Sequence, residues 1–268
     1  MPPRVAFVTC RHLPEPDHDA EPLKTAAAAR GWHVAEPAWD DLDTDWSAFD
    51  LAVIRSTWNY PEARDEFLAW LALASSQTKL LNPVKMVRQN VHKGYLLGLE
   101  MAGVPIVPTE LLYAGDPLPS VPKRDMVIKP AVSAGSWQTH RVRAGESWPS
   151  DLPPEDLLLQ PYLPSVESGG EVSVIVIDGQ PTHAVSKAPR FHGDDEDVRS
   201  TALTPALVAI TEQAVATLDE TPLYARVDVM KDGDRWLLSE LELIEPSLFF
   251  FKDQSALPIF LDAIERRL

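Results

Sequence analysis

One stretch limits what this chain can fold into more than any other: Arg226 to Pro246, RVDVMKDGDRWLLSELELIEP. Two β-rich runs flank Asp232-Gly233-Asp234, and Asp-Gly between such runs is a strong hairpin signal. The hairpin carries Asp228 on its first strand and Glu240 and Glu242 on its second. Side chains alternate faces along a strand, so Glu240 and Glu242 share one face. Whether Asp228 joins them depends on register. A two-residue turn pairing 228 with 237 would send Glu240 to the opposite face. A three-residue loop over 232 to 234 pairs 226 with 240 and gathers Arg226, Asp228, Glu240 and Glu242 on one side. Clustered carboxylates repel unless a cation neutralises them, and hard oxygen donors of this kind suit Mg²⁺ holding nucleotide phosphates. The expectation is the three-residue loop, with Asp228, Glu240 and Glu242 as a magnesium site.

Length and charge narrow the setting. The 268 residues suffice for a large core divided into two or three subdomains. A net charge of −16 repels nucleic acid and anionic membranes, so neither is expected as a partner. It does not forbid a nucleotide, which a local Lys/Arg cluster can hold inside an acidic shell. The single cysteine, Cys10, excludes an intramolecular disulfide and fits a cytoplasmic location. No apolar run reaches the roughly 18 residues a transmembrane helix needs, and the N-terminus enters a strand without a signal-peptide layout. Cys10 itself reads as a packed strand residue, and the scattered histidines do not form a zinc-ligand spacing.

In chain order, apolar runs and helical stripes alternate. Arg4 to Cys10, His33 to Glu36, Leu51 to Arg55 and Leu80-Leu81 read as strands. Ala20 to Arg30 and Pro61 to Ser75 read as helices, Gly31 stopping the first and Pro61 opening the second. This β-α-β-β-α-β order predicts a small parallel-sheet domain over residues 1–83. Ligands bind past the carboxyl ends of such strands, which makes Arg55, Ser56 and Trp58 of the RSTWNY segment candidate substrate contacts. Arg55 could hold a carboxylate, or with Trp58 make only a structural turn.

Residues 84–122 form a helical linker, with a helix from Asn90 to Ala102 and Lys93 in its first turn, where anions are favoured. Residues 123–162 make a smaller strand unit. MVIKP is a strand whose Lys129 follows three apolar residues, and Ser133, Ala134, Gly135 and Ser136 form a small-residue loop able to close over phosphates through backbone N–H groups. LLLQ ends in Gln160-Pro161-Tyr162-Leu163. Residues 163–268 hold a second hairpin around Asp178-Gly179, an irregular acidic segment 188 to 201, an amphipathic helix from Thr204 to Leu218, the opening hairpin, and a terminal helix from Ser255. The acidic segment is either a solvated loop or a mobile lid whose arginines, Arg190 and Arg199, reach substrate on closure.

This order of parts resembles the ATP-grasp superfamily of carboxylate–amine ligases. The match runs through VIKP, the small-residue loop, LLLQPYL, EVSVIVIDGQ, RVDV and ELELIEP. The resemblance implies an α/β protein of ATP-grasp fold, two α+β subdomains sandwiching ATP, preceded by the parallel-sheet domain. Carried over, it makes Lys93 and Lys129 contacts to ATP phosphates, Ser133, Gly135 and Ser136 the flexible loop, and Gln160, Pro161, Tyr162 and Leu163 the adenine hinge. Glu167 or Glu171 would hold the ribose. Asp228, Glu240 and Glu242 would bind Mg²⁺, or Mn²⁺ in its place. Lys187, Arg226 and Arg199 would face the phosphoryl group or acyl phosphate. Many relatives carry Glu-x-Asn where this chain has Glu240-Leu241-Glu242, an added negative charge. RSTWNY, LPEPDHD and ELELIEPSLFF look similar to the cycloserine-biosynthesis cyclo-ligase group, which acts on O-ureido-serine.

The mechanism implied is attack of a small amino-acid-like carboxylate on the γ-phosphate, then capture of the acyl phosphate by an amine, within one substrate or between two. Positioning and electrostatics carry such a reaction. Two other readings stay open here: a phosphotransferase using the same ATP site without ligation, and a nucleotide-binding protein without turnover. A homodimer would be in keeping with the family, though no interface signature stands out.

Overall fold

In a computed structural model of the chain, residues 1–135, 137–188 and 197–268 are described. The first unit is the expected parallel sheet. Its elements are β1 (Arg4–Thr9), α1 (Ala20–Ala29), β2 (His33–Ala35), β3 (Leu51–Ser56), α2 (Arg64–Gln77) and β4 (Lys79–Leu81), with strand order β2-β1-β3-β4. Pairing such as Val5 with Leu51 and Val53 with Leu81 sets the two faces. Val5, Phe7, Leu51 and Val53 pack with Leu23 and Ala27 of α1. Ala6, Val8, Ala52 and Ile54 pack with Phe67, Trp70 and Leu71 of α2. Both faces are covered, which is why these strands read as continuous apolar runs. Pro61 does not open α2. It lies in a 3-10 turn, Tyr60–Ala63, that precedes the helix.

The expected helix from Asn90 to Ala102 is two helices, α3 (Val84–Asn90) and α4 (Tyr95–Met101), and Lys93 lies in the break between them. The physical reason is Asn90. Its buried side chain donates to the Leu241 carbonyl (2.8 Å) and accepts from the Leu243 N–H (2.8 Å). That fixes the end of α3 against the second strand of the hairpin.

The next unit is an antiparallel sheet of β5 (Glu110–Leu112), β6 (Met126–Pro130), β7 (His140–Val142) and β8 (Leu157–Pro161), in the order β5-β8-β6-β7. A short helix, α5 (Ser165–Gly169), then leads into the main sheet. This holds β9 (Glu171–Ile177), β10 (Gln180–Lys187), β11 (Val198–Thr201), β12 (Tyr224–Asp232) and β13 (Arg235–Glu242), in the order β11-β10-β9-β12-β13. Helix α6 (Pro205–Val215) covers one face and α7 (Ala256–Glu265) the other. Of the proposed lid, residues 189 to 196, with Arg190, lie outside the described residues. Arg199 does not belong to a lid: it sits in β11, paired with Ser186 across the sheet edge.

The hairpin register differs from the expected one. The turn is two residues, Gly233-Asp234, because Asp232 pairs with Arg235 and Val229 with Leu238. Continued unchanged, that ladder would set Asp228 opposite Ser239 and turn Glu240 to the other face. A β-bulge between Asp228 and Val229 prevents this. It makes Ser239 the extra residue, so Asp228 pairs with Glu240 and Arg226 with Glu242. The four side chains do share a face, but through a bulge and not through a three-residue loop. The Ser239 hydroxyl fixes the bulge, donating to the Asp228 carbonyl (3.0 Å) and lying 2.6 Å from Oε1 of Glu171.

Candidate active site

Strand register assembles the site. On the α7 side of the main sheet, Ile177 pairs with Tyr224, Ile175 with Arg226 and Ser173 with Asp228. Lys187 pairs with Glu171 one step further along the same face. Moving along the strands, the face therefore changes from apolar to ionised: Ile177 and Tyr224, then Arg226 and Glu242, then Asp228 and Glu240, then Glu171 and Lys187.

Cations and carboxylates interlock there. Lys93, from the break between α3 and α4, donates to both oxygens of Glu240 (3.0 and 2.9 Å), and Lys129 of β6 donates to Oε1 (2.6 Å). Three separate parts of the fold thus meet at one carboxylate. Asp228 accepts from Arg226 (2.8 to 3.2 Å), from Lys187 (3.3 Å) and from the Ser173 hydroxyl (2.5 Å). Arg226 also reaches Glu242 (2.5 Å), and Lys187 reaches Glu171 (2.9 Å).

The electrostatics divide the carboxylates into two kinds. Burial alone would raise the Asp228 and Glu240 pKa values. Arg226 and Lys187 outweigh it and hold Asp228 at about 2, and Lys129 with Lys93 hold Glu240 well below the usual range. Glu242 and Glu245 go the other way. Burial first, then Asp228 and Glu240, push Glu242 up to about 7. Burial and then Glu242 push Glu245 up to about 8. Four cations (Lys93, Lys129, Lys187, Arg226) face five carboxylates (Glu171, Asp228, Glu240, Glu242, Glu245), and the unmatched charge collects at Glu242 and Glu245. Burial and Arg226 disfavour the Lys187 ammonium, but Asp228 and Glu171 more than offset both, so it stays charged.

The donor set suits a hard divalent cation, since it consists of carboxylate oxygens with negative charge left over. In the arrangement seen, lysines and Arg226 occupy those oxygens. Among the described residues no three His, Cys, Asp or Glu side chains stand close enough to enclose an ion.

The remaining candidates fall in two places. Gln160 is buried and donates to the Thr109 hydroxyl (2.9 Å). Tyr162, after β8, donates its backbone N–H to Asp125 (3.0 Å) and its hydroxyl to Glu167 (2.8 Å). Leu163 accepts from the Val166 N–H (3.1 Å), and Pro161 ends β8. Glu167 is held by Arg141 (2.7 Å) beside this hinge, whereas Glu171 lies in the ion cluster. Ser133 donates back to the Pro130 carbonyl (3.3 Å), Gly135 has a φ of +58°, and Ser136 lies outside the described residues.

At the other place, the RSTWNY segment meets the chain just after β13. Arg55 donates to the Pro246 carbonyl (3.1 Å) and Trp58 to the Glu245 carbonyl (2.9 Å); Ser56 donates to Thr9 (3.0 Å). Arg55 is buried, with Asp19 at 3.8 Å. Arg199 is not brought to the cluster: it is exposed and bound to Asp197 (2.6 Å). Edge-strand pairing to β10 fixes it there.

The sequence reading missed Glu245, Ser173 and Ser239. A charged residue inside the apolar run LELIEP was the one available signal for Glu245. It missed also Asn82, which is fully buried and bonds the backbone of Leu223, Tyr224 and Leu243.

Comparison with known proteins agrees with this fold. A family model described as "D-cycloserine synthetase DcsG, N-terminal domain" matches residues 5–82. The cycloserine biosynthesis protein DcsG of Streptomyces lavendulae is 31% identical over 94% of each chain. The crystal structure of D-cycloserine synthetase DcsG superposes with a TM-score of 0.89 at 27% identity, covering 98% of this chain and 99% of that one. A RimK domain ATP-grasp protein from Sphaerobacter thermophilus superposes at 0.68 with 17% identity, over 98% and 99%. With nearly its whole length aligned to a relative above 30% identity, and with a fold that superposes on that of D-cycloserine synthetase DcsG, this chain belongs to the DcsG family of ATP-grasp ligases.

Proposed function

We propose that this ligase is ATP- and Mg²⁺-dependent, phosphorylates the carboxylate of a small amino-acid-like substrate, and closes a C–N bond within that same substrate. One observation carries the reading: Lys93 and Lys129, from two different parts of the fold, converge on Glu240, with Asp228 and Glu242 beside it on the same sheet face. Nucleotide phosphates compete for the two lysines, and the carboxylates they release suit Mg²⁺. Asp228, Glu240 and Glu242 would hold the ion, which when bound offsets charge on the transferring group.

The chain's own residues do the rest. Lys93 and Lys129 take the phosphate oxygens, with Ser133, Gly135 and Ser136 closing over them. The Gln160 to Leu163 hinge takes adenine, and Glu171 or Glu167 the ribose hydroxyls. Arg226 and Lys187 are fixed cations whose charge meets the γ-phosphoryl group as the substrate carboxylate attacks it; the β–γ bond breaks and ADP leaves. The amine then displaces phosphate from the acyl phosphate and loses a proton to solvent or phosphate. The RSTWNY segment, clamped to the backbone after β13, forms the substrate side with Arg55, Ser56 and Trp58. Ring closure is favoured because the relatives are named for cycloserine synthesis.

The test is phosphate release from ATP with Mg²⁺ or Mn²⁺ and amino-acid substrates, including O-ureido-serine, with the organic product identified. A ring product, with turnover lost in Asp228→Asn and Glu240→Gln, is expected. A stable phosphorylated product would make the protein a kinase, and full activity in both variants would refute the metal assignment.

A further inference from the structure

The break between α3 and α4 that presents Lys93 is closed into a ring of hydrogen bonds. The Lys93 N–H donates to the Ala131 carbonyl (2.7 Å), and the Ala131 N–H donates to the Asp156 carbonyl (2.8 Å). The Asp156 carboxylate meets Nε2 of His92 (3.2 Å), and Nδ1 of His92 accepts from the Gly94 N–H (3.0 Å). The other Asp156 oxygen accepts from the Ala114 N–H (2.8 Å). Lys93 is therefore bracketed on both sides by residues whose bonds lead to the same aspartate. Ala131 lies two residues beyond Lys129, so one ring ties the mounts of both lysines together.

The chemistry fixes the tautomer. An N–H aimed at Nδ1 requires a lone pair there, so the proton sits on Nε2 and is donated to Asp156. The approach is too close for any other residue at 94. A Cβ there would lie 2.8 Å from Nδ1 of His92. Neither His92 nor Asp156 touches the ion cluster, and the proposed reaction uses neither.

We propose that His92 is a positioning residue for Lys93. Its two ring nitrogens, one receiving Gly94 and one donating to Asp156, hold the break so that the Lys93 ammonium stands over Glu240 at the phosphate site. This rests on the reading of Lys93 as a phosphate contact, and the test separates the two.

The experiment is a double-mutant cycle read by calorimetric binding of ADP with Mg²⁺ to the full chain. His92→Ala is expected to weaken binding about tenfold, the equivalent of about 1.4 kcal/mol. In a Lys93→Met background the same change should have no further effect, because the residue it positions is gone. His92→Asn places an acceptor where Nδ1 was, and His92→Gln places a donor where Nε2 was. Each should recover part of the loss, and each can replace the alanine variant in the cycle if that variant does not fold. ADP binding unchanged in His92→Ala, or weakened equally in the Lys93→Met background, overturns the proposal while leaving Lys93 its role. Unchanged binding in Lys93→Met alone overturns the phosphate assignment and the proposal with it.

Discussion

Glu245 offers a measurement of the site's electrostatics that needs no substrate. Its residue surface is 8% exposed, and burial, then the charge of Glu242, pushes its carboxyl up to about 8 in the folded chain against an ordinary 4.5. The sign follows from which state ionises first. Above the ordinary value the unfolded chain loses the proton while the folded chain keeps it. Unfolding then releases a proton, and stability falls as pH rises until the folded group also ionises, near pH 8. The slope is about 1.4 kcal/mol per pH unit, so the loss grows to about 4 kcal/mol at pH 8. A glutamine in its place would have nearly the same shape and no proton to lose. Glu245→Gln should therefore match the parent at pH 4.5 and exceed it by about 3 kcal/mol at pH 7 and about 4 kcal/mol at pH 8. At roughly 2 °C per kcal/mol for a chain of this size, the melting temperature should rise by about 8 °C at pH 8. Because Glu242 and Glu245 raise each other, the difference curve reports Glu245 together with its coupling to Glu242. Thermal melts from pH 4.5 to 9 without nucleotide are the assay. A difference that is flat across that range, or a variant less stable at pH 8, would refute the charge placement.

Other outcomes test the scaffold. Deleting Ser239 takes out the extra residue and leaves Glu240 opposite Asp228 and Glu242 opposite Arg226 in an unbulged ladder; ADP binding should be retained in calorimetry, as it should in Ser239→Ala, which keeps the chain length. Binding lost in the deletion variant would contradict the register argument. Asn82→Ala leaves four buried backbone groups without partners and should cost about 2 to 5 kcal/mol in urea denaturation, and an unmoved midpoint would count against it. Asp228 titrates at about 2, below its ordinary 3.8, so its contribution is complete above pH 4 and is lost as pH falls toward 2. Asp228→Asn should flatten that part of the acid-denaturation profile by about 2 kcal/mol.

Much of this protein was readable from residue type and spacing, and the failures have a common physical source. The parallel sheet was legible because strands covered on both faces must be apolar throughout, as Val5 to Val8 and Leu51 to Ile54 are. Arg226, Asp228 and Glu240 were legible as neighbours on one sheet face from side-chain alternation and Lys129 as the root of a small-residue loop, whereas Lys93 and Lys187 were joined to them only by the resemblance to ATP-grasp ligases. The hairpin register was not legible, because local turn chemistry set the tip and a tertiary contact then overruled it. Ser239 lies where it does because its hydroxyl meets Glu171, 68 residues away. The helix break at Lys93 was hidden for the same reason: Asn90 leaves the helix pattern to bond strand β13, over 150 residues on. Arg199 was misread because a short charged edge strand has the composition of a loop, and only its pairing with β10 distinguishes the two. Sequence thus displays which groups are available to the site, while their register is set by long-range hydrogen bonds from small polar side chains. Ser173, Ser239, Asn82 and Asn90 are the residues to compare first in a related chain whose ion cluster looks intact but whose activity differs.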